Sequence, residues 1–193
     1  MKKFKLTSEF IVDISGVKLF RIKALIEFGN VKAGDLGGYI EKEENLSHMG
    51  DAWVSDDARI SGNAQVFGNA QVFGNAQVFG DAWVFGNARV FGNARVSGDA
   101  QVFGDAQVFG DAQVFGDARV SGDKDYAYAH GFGSCNRTTT FFRLKDGDVG
   151  VRCGCFYGTL AQFRDKVCET HGETKKAQEY LMLADLMEIR FKN

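Results

Sequence analysis

The chain has 193 residues, of which 45% are hydrophobic, with 24 glycines, no proline and a formal net charge of −2. Such a composition supports one or two compact modules and argues against long disordered tracts. Balanced charge leaves no basic track for a phosphate backbone, so nucleic acid is not an expected partner. No apolar run reaches the roughly 18 residues of a spanning helix, so a membrane is not expected either.

The opening residues, MKKFKLTSEF, are basic but lack the apolar stretch of a secretory signal. The expected location is the cytoplasm. Four cysteines without regular spacing fit that reducing compartment better than a disulfide framework.

Residues 10 to 25, FIVDISGVKLFRIKAL, have the pattern of a β-hairpin turned at Ser15-Gly16. Residues 1–49 are expected to form an N-terminal β-hairpin cap, because the end of a repetitive sheet is a row of unpaired backbone groups that must be covered. The last six of them, Glu44 to Met49, read as a degenerate repeat unit with Leu46 in an Ala slot and His48 in a Val slot. On that reading His48 belongs to the cap and is not a catalytic base.

From Gly50 to Ser121 the frame G-[ND]-A-x-[VI]-[FS] returns every six residues, twelve times, with Asp56 once in a glycine position. Ala and Val two apart share one face of a short strand, and Gly-Asn or Gly-Asp supplies a corner with unusual dihedrals. One such unit cannot bury its own apolar face, but stacked units can, and a hexapeptide period is the mark of a parallel β-helix. Ala beside β-branched Val suits a narrow interior that larger residues would overpack.

This pattern resembles the left-handed β-helix of hexapeptide-repeat proteins, in which three hexads close one triangular coil. The resemblance implies about four coils over residues 50–121. Residues 18 apart then stack at a strand spacing of about 4.8 Å. The Phe residues fall into three columns: Phe73, Phe91 and Phe109; Phe67, Phe85 and Phe103; and Phe79 with Phe115, interrupted by Ser97. Self-stacking ribs and an oligomer interface both account for such columns. Left-handed β-helices commonly form trimers, so the resemblance implies a homotrimer.

Residues 122–193 are expected to form a small ββαα domain. The segment YAYAHGFGSCN reads as a loop, and strands follow at about Thr138 to Lys145 and Val149 to Tyr157. Thr159 with Gln162 makes a capping box for a first helix ending at Gly172, and a second helix runs from about Thr174 to Arg190. VKAGDLGGYIEKEENLS before the hexads, with GSCNRTTTFF, VRCGCF and ETHG after them, resembles a group of bacterial and bacteriophage hexapeptide-repeat proteins. The resemblance implies this architecture and a phage or prophage setting, hence a host-cytoplasm location, and it implies no activity.

Three chemistries are candidates. Cys153, Cys155, Cys168 and His171 are residue types that zinc accepts, but two cysteines about 6.5–7 Å apart on a strand do not converge, and buried thiols and a helix-end His account for them better, so no metal is expected. Many left-handed β-helix proteins are CoA-dependent acyltransferases with a His base, and His130, just beyond the last coil, is the candidate here. The third is ligand binding. Ser134, Asn136, Arg137, Thr138, Thr139, Thr140, Phe142 and Arg143 combine hydroxyls, an amide, guanidinium groups and an aromatic, which suits a phosphate-bearing, nucleotide-like molecule. Thr and Phe are also ordinary strand formers. The reading that emerges is a non-catalytic, oligomeric binding or scaffold protein without a cofactor, whose partner is a small phosphate-bearing ligand or a host protein, with acyltransferase as the alternative.

Overall fold

The computed structural model describes residues 1–134 and 136–192; Cys135, inside the GSCN motif, and Asn193 lie outside the described residues. The chain opens on an antiparallel hairpin of β1 (Phe4–Val12) and β2 (Lys18–Ala24), turned through Gly16 at φ 86°. A third strand, β3 (Leu36–Ile40), pairs antiparallel with β2 on one side. On its other side it pairs parallel with the first repeats, joining the hairpin to the repeat ladder.

Twelve two-residue strands follow, one per hexad, from β4 (Trp53–Val54) to β15 (Arg119–Val120). Each pairs in parallel with the strand three further on, which yields three sheets: β3-β5-β8-β11-β14, β4-β7-β10-β13 and β6-β9-β12-β15. The central ladder is a β-solenoid. Every Ala and Val or Ile of the frame is fully buried, from Ala52 and Val54 to Ala118 and Val120. The six-residue phrase thus forms one side of a coil, its third and fifth residues filling the interior.

The solenoid has about five coils, one more than the hexad count predicts. Tyr39 and Ile40 already pair with Arg59 and Ile60, and Leu46 bridges Val66. Leu46 therefore takes a Val slot and not an Ala slot. His48 is not in the frame at all. The corner from Leu46 to Val54 is two residues longer than the others, and His48 sits on it, its ring stacked on Phe4 at 4.3 Å and its Nδ1 accepting from the Lys3 backbone N–H at 3.2 Å.

The corners explain the glycines. Gly86 has φ 71°, and a Cβ there would lie 2.9 Å from the backbone nitrogen of Gly104 in the next coil. Both the dihedral and the contact exclude a side chain. Asp56, the one exception in the frame, adopts φ 56° and uses its carboxylate to accept from Gly74 N at 2.9 Å. Corner amides also bond along the axis, as in Asn69 to Asn87 (3.2 Å) and Asn87 to Asp105 (3.0 Å).

The two ends are closed by groups from the flanking segments. Within the ladder N–H groups donate to carbonyls of the next coil, as Gln71 N does to Ala88 O, while the parallel pairing returns others to the preceding one. The first and last coils therefore have backbone groups that only the flanking segments can pair. At the start, buried Lys3 donates from Nζ to Gly50 O (3.1 Å) and Ala52 O (2.8 Å), and buried Asn45 from Nδ2 to Gly62 O (3.1 Å) and Ala64 O (2.8 Å). Burial lowers the pKa of Lys3 to about 8. At the finish, Gln107 N, Gln113 N and Ser121 N donate to Asp123 Oδ1, Thr140 Oγ1 and Asp125 Oδ2 at 2.9–3.0 Å.

Outside, the Phe columns are stacked ribs. Phe67, Phe85 and Phe103 lie 4.9 and 5.1 Å apart, and Phe73, Phe91 and Phe109 lie 4.9 and 5.3 Å apart, all with nearly parallel rings. Each stacked pair contributes about 0.5–1.5 kcal/mol beyond area burial. Residues from the C-terminal domain finish two columns: Tyr126 and Tyr128 meet Phe109 edge-on, and Tyr157 meets Phe115.

The C-terminal domain is ββββαα. Strands β16 (Tyr126–Phe132), β17 (Arg137–Arg143), β18 (Val149–Cys153) and β19 (Phe156–Thr159) form one antiparallel sheet covered by α1 (Leu160–His171) and α2 (Lys175–Phe191). The YAYAHGF segment, expected as a loop, is a strand because its alternate residues cover the solenoid end. The expected strand Val149 to Tyr157 is broken at Gly154, whose φ is 59°. The capping box of Thr159 with Gln162 is present as the sequence implies. Among the described residues no helix is long and apolar enough to cross a membrane.

Replacing Gly86 by Ala forces a left-handed dihedral and a backbone clash, so we expect a loss of about 1–3 kcal/mol in urea unfolding. Gly122→Ala is the matched control, since Gly122 is extended and has open space around its Cβ position; it should change stability by about 0.5 kcal/mol at most.

Candidate functional site

Strand β17 carries most of the sequence-predicted ligand set, and its alternation divides that set between two faces. Thr140 and Phe142 face the solenoid, where Thr140 caps Gln113 and Phe142 joins the solenoid core. Thr139 and Phe141 face the helices: Phe141 packs in the second core, and Thr139 donates to Cys153 Sγ at 3.2 Å. Arg143 lies over the Phe191 ring and donates to Phe191 O at 2.9 Å. Asn136 is exposed in the turn before β17, at φ 46°. Thr138 bonds the Nδ1 of exposed His130 at 2.9 Å.

What does converge lies at the helix-covered edge of the sheet. Ser134, Arg137, Cys153, Cys155, Lys166, His171 and Tyr180 line a cleft of about 210 Å³, with Phe156, Phe163 and Val167 as its apolar wall. Strand β18 ends at Cys153 and β19 begins at Phe156, so Gly154-Cys155 is a two-residue hairpin turn with Gly at its first position, the II′ arrangement. Cys153 therefore ends a strand and Cys155 lies in the turn, so the two do not lie along one strand. The Arg137 guanidinium rests on Gly154, where any side chain would meet it.

Tyr180 organises the cleft. Its hydroxyl accepts from Ser134 N at 3.0 Å, lies 3.3 Å from Ser134 Oγ, and takes the Cys153 thiol hydrogen at 3.8 Å. Its ring packs edge-on against Phe163 and stacks beside His171 at 5.7 Å. Burial pushes the hydroxyl above the usual tyrosine range, so it stays a neutral hydrogen-bonding group. Glu179, one residue earlier, accepts from Gly133 N at 2.8 Å and ties the loop before β17 to α2.

The other sequence candidates are placed as follows. Cys153, Cys155 and His171 share the cleft, while Cys168 is exposed on α1 and does not line it. Among the described residues no group of three or more His, Cys, Asp or Glu side chains is arranged to hold a metal ion. His48 borders a larger concavity of about 550 Å³ at the N-terminal end, with Glu43, Ser47 and Phe67, but its ring is occupied by Phe4 and Lys3.

Of the columnar Phe residues, Phe79 and Phe109 are more than one third exposed, and Phe67, Phe73, Phe85, Phe91, Phe103 and Phe115 are half-buried by stacking or by the C-terminal domain. A second apolar stripe emerges on α2, where Met182, Leu186 and Ile189 are 71%, 55% and 70% exposed. Their spacing of four and three places them opposite the buried face of Ala177, Tyr180, Ala184 and Met187. That spacing was visible in the sequence, as the apolar residues left over once the buried face is assigned.

A family model described as the YdcK beta solenoid repeat matches residues 58–72, 82–98 and 88–104. All three segments lie within the hexads, so the match concerns the repeat and reaches neither the cap nor the cleft. No curated protein was found to match the chain.

Tyr180→Phe keeps the ring packing and deletes the acceptor for Ser134 N. We expect a loss of about 1–2 kcal/mol in denaturant unfolding, together with faster hydrogen exchange at the Ser134 amide.

Proposed function

We propose that the protein is a non-catalytic, self-associating binding protein in which the solenoid is a rigid support and the C-terminal cleft holds a small phosphate-bearing ligand. The observation that carries this reading is the meeting of Arg137, Lys166 and His171 with the hydroxyls of Ser134 and Tyr180 in one cleft walled by Phe156 and Phe163. Arginine and lysine bind phosphate oxygens, hydroxyls orient them, and an apolar wall accepts the face of a base. In the bacterial or bacteriophage setting that the sequence resemblance implies, the ligand is a small nucleotide signal of the host, and binding sequesters it.

Self-association draws on the apolar surface left outside the core: Phe79, Trp83 and Phe109 along the solenoid, and Met182, Leu186 and Ile189 on α2. Exposed apolar patches of this kind mark interaction surfaces. A homotrimer packed along the solenoid faces is the arrangement we favour.

Native mass spectrometry of the purified protein tests both parts. The expected result is a trimer that carries a co-purifying small phosphate compound. Arg137→Ala and Lys166→Ala should each weaken rebinding of that compound about tenfold or more without changing the subunit number. A ligand-free monomer would remove both parts of the proposal. A rise in melting temperature with acetyl-CoA that is abolished by His130→Ala would favour an acyltransferase instead.

A further inference from the structure

The phosphate reading leaves the two thiols of the cleft unused. Cys155 is exposed in the turn, while Cys153 is half-buried, held between the Thr139 hydroxyl at 3.2 Å and the Tyr180 hydroxyl at 3.8 Å. The two cysteines are separated only by Gly154, at φ 59° in a two-residue turn, so they are not held at the extended strand separation of about 6.5–7 Å. A disulfide bridges Cα atoms about 4.4–6.8 Å apart. Arg137 rests on the glycine between the two cysteines, and Lys166 and His171 line the same cleft. One accessible thiol, one sheltered thiol and fixed positive charge thus share a single concave site.

We propose that Cys153-Gly154-Cys155 is a thiol–disulfide exchange site for anionic low-molecular-weight disulfides, with Cys155 as the attacking thiol and Cys153 as the resolving one. The Cys155 thiol gives up its proton and its sulfur attacks one sulfur of the incoming disulfide. That S–S bond breaks, and the departing half leaves as a thiolate that takes up a proton. Cys153 then loses its proton and attacks Cys155 Sγ, which expels the second half as a thiolate that is protonated in turn. Two protein thiols are oxidised to one disulfide, and one small disulfide is reduced to two thiols. Arg137 and Lys166 select for carboxylate-bearing disulfides by attracting them into the cleft. Oxidation also removes the Cys153 hydrogen that Tyr180 accepts, so the redox state is read out at the side chain that organises the cleft.

This assignment uses the same cleft as the proposed ligand site but does not depend on a phosphate ligand being bound there. The test treats the full chain with glutathione disulfide, quenches with acid, alkylates and maps the cysteines by peptide mass spectrometry. Cys168, exposed outside the cleft, is the internal reference. The expected result is that Cys155 acquires glutathione about tenfold faster than Cys168, and that the adduct converts to a Cys153–Cys155 disulfide. In Cys153→Ser the adduct should remain on Cys155. The kinetic advantage should shrink with neutral hydroxyethyl disulfide, in Arg137→Ala or Lys166→Ala, and in urea. Equal rates at Cys155 and Cys168, or resolution of the adduct by a cysteine other than Cys153, would overturn the proposal. Phosphate-ligand binding measured on the reduced protein separates the two ideas, since either can fail without the other.

Discussion

A parallel ladder leaves unpaired backbone groups at both of its ends, and the need to pair them dictates what each end of the protein must be. The carbonyls of Gly50 and Ala52 have no earlier coil to pair with, and the N–H groups of Gln107, Gln113 and Ser121 have no later one. A buried, unpaired backbone group costs about 1–3 kcal/mol. The N-terminal cap therefore brings Lys3 Nζ and Asn45 Nδ2 to carbonyls and Glu41 Oε2 to Gly62 N, and the C-terminal domain brings Asp123, Asp125 and Thr140 to N–H groups and Lys145 N to Asp117 O. Closing the edges this way also denies an incoming chain the ladder on which it could polymerise.

The same constraint places the site. Strand β17 must use one face to cover the last coil, through Thr140 and Phe142. Its other face is free to build a cleft with α1 and α2, through Arg137, Thr139 and Phe141. Adjacent residues Thr139 and Thr140 thus touch the Cys153 thiol and the solenoid backbone respectively. Most of the cleft's residues stand on strands and helices, which hold a binding constellation more tightly than loops do.

The regular part of the fold was legible because one phrase repeated twelve times makes the role of each position plain. The burial of the Ala and Val positions, the glycine corners and the stacked Phe columns all follow from a coil of three hexads. What escaped was set by long-range pairing. Lys3 looks like a solvated N-terminal charge until Gly50 and Ala52 present it with carbonyls. Leu46 and His48 shift frame because a longer corner accommodates the hairpin beneath, and no local pattern announces that. YAYAHGF contains small and polar residues that read as a loop, yet it becomes a strand when Tyr126 and Tyr128 find Phe109. The ligand set was half legible: residue types pointed to Ser134 and Arg137, while their companions Lys166, His171 and Tyr180 come from helices more than 25 residues away in sequence.

Amide hydrogen exchange resolved by residue, comparing the unaltered chain with Thr140→Val, tests the end-capping account most directly. The Gln113 N–H has no further coil to bond and depends on Thr140 Oγ1 at 2.9 Å. Its protection should fall sharply in the variant, while the Gln77 and Arg95 amides in lower coils of the same sheet keep theirs. Unchanged protection at Gln113, or an equal loss in every coil, would contradict the claim that side-chain acceptors close the end of the ladder.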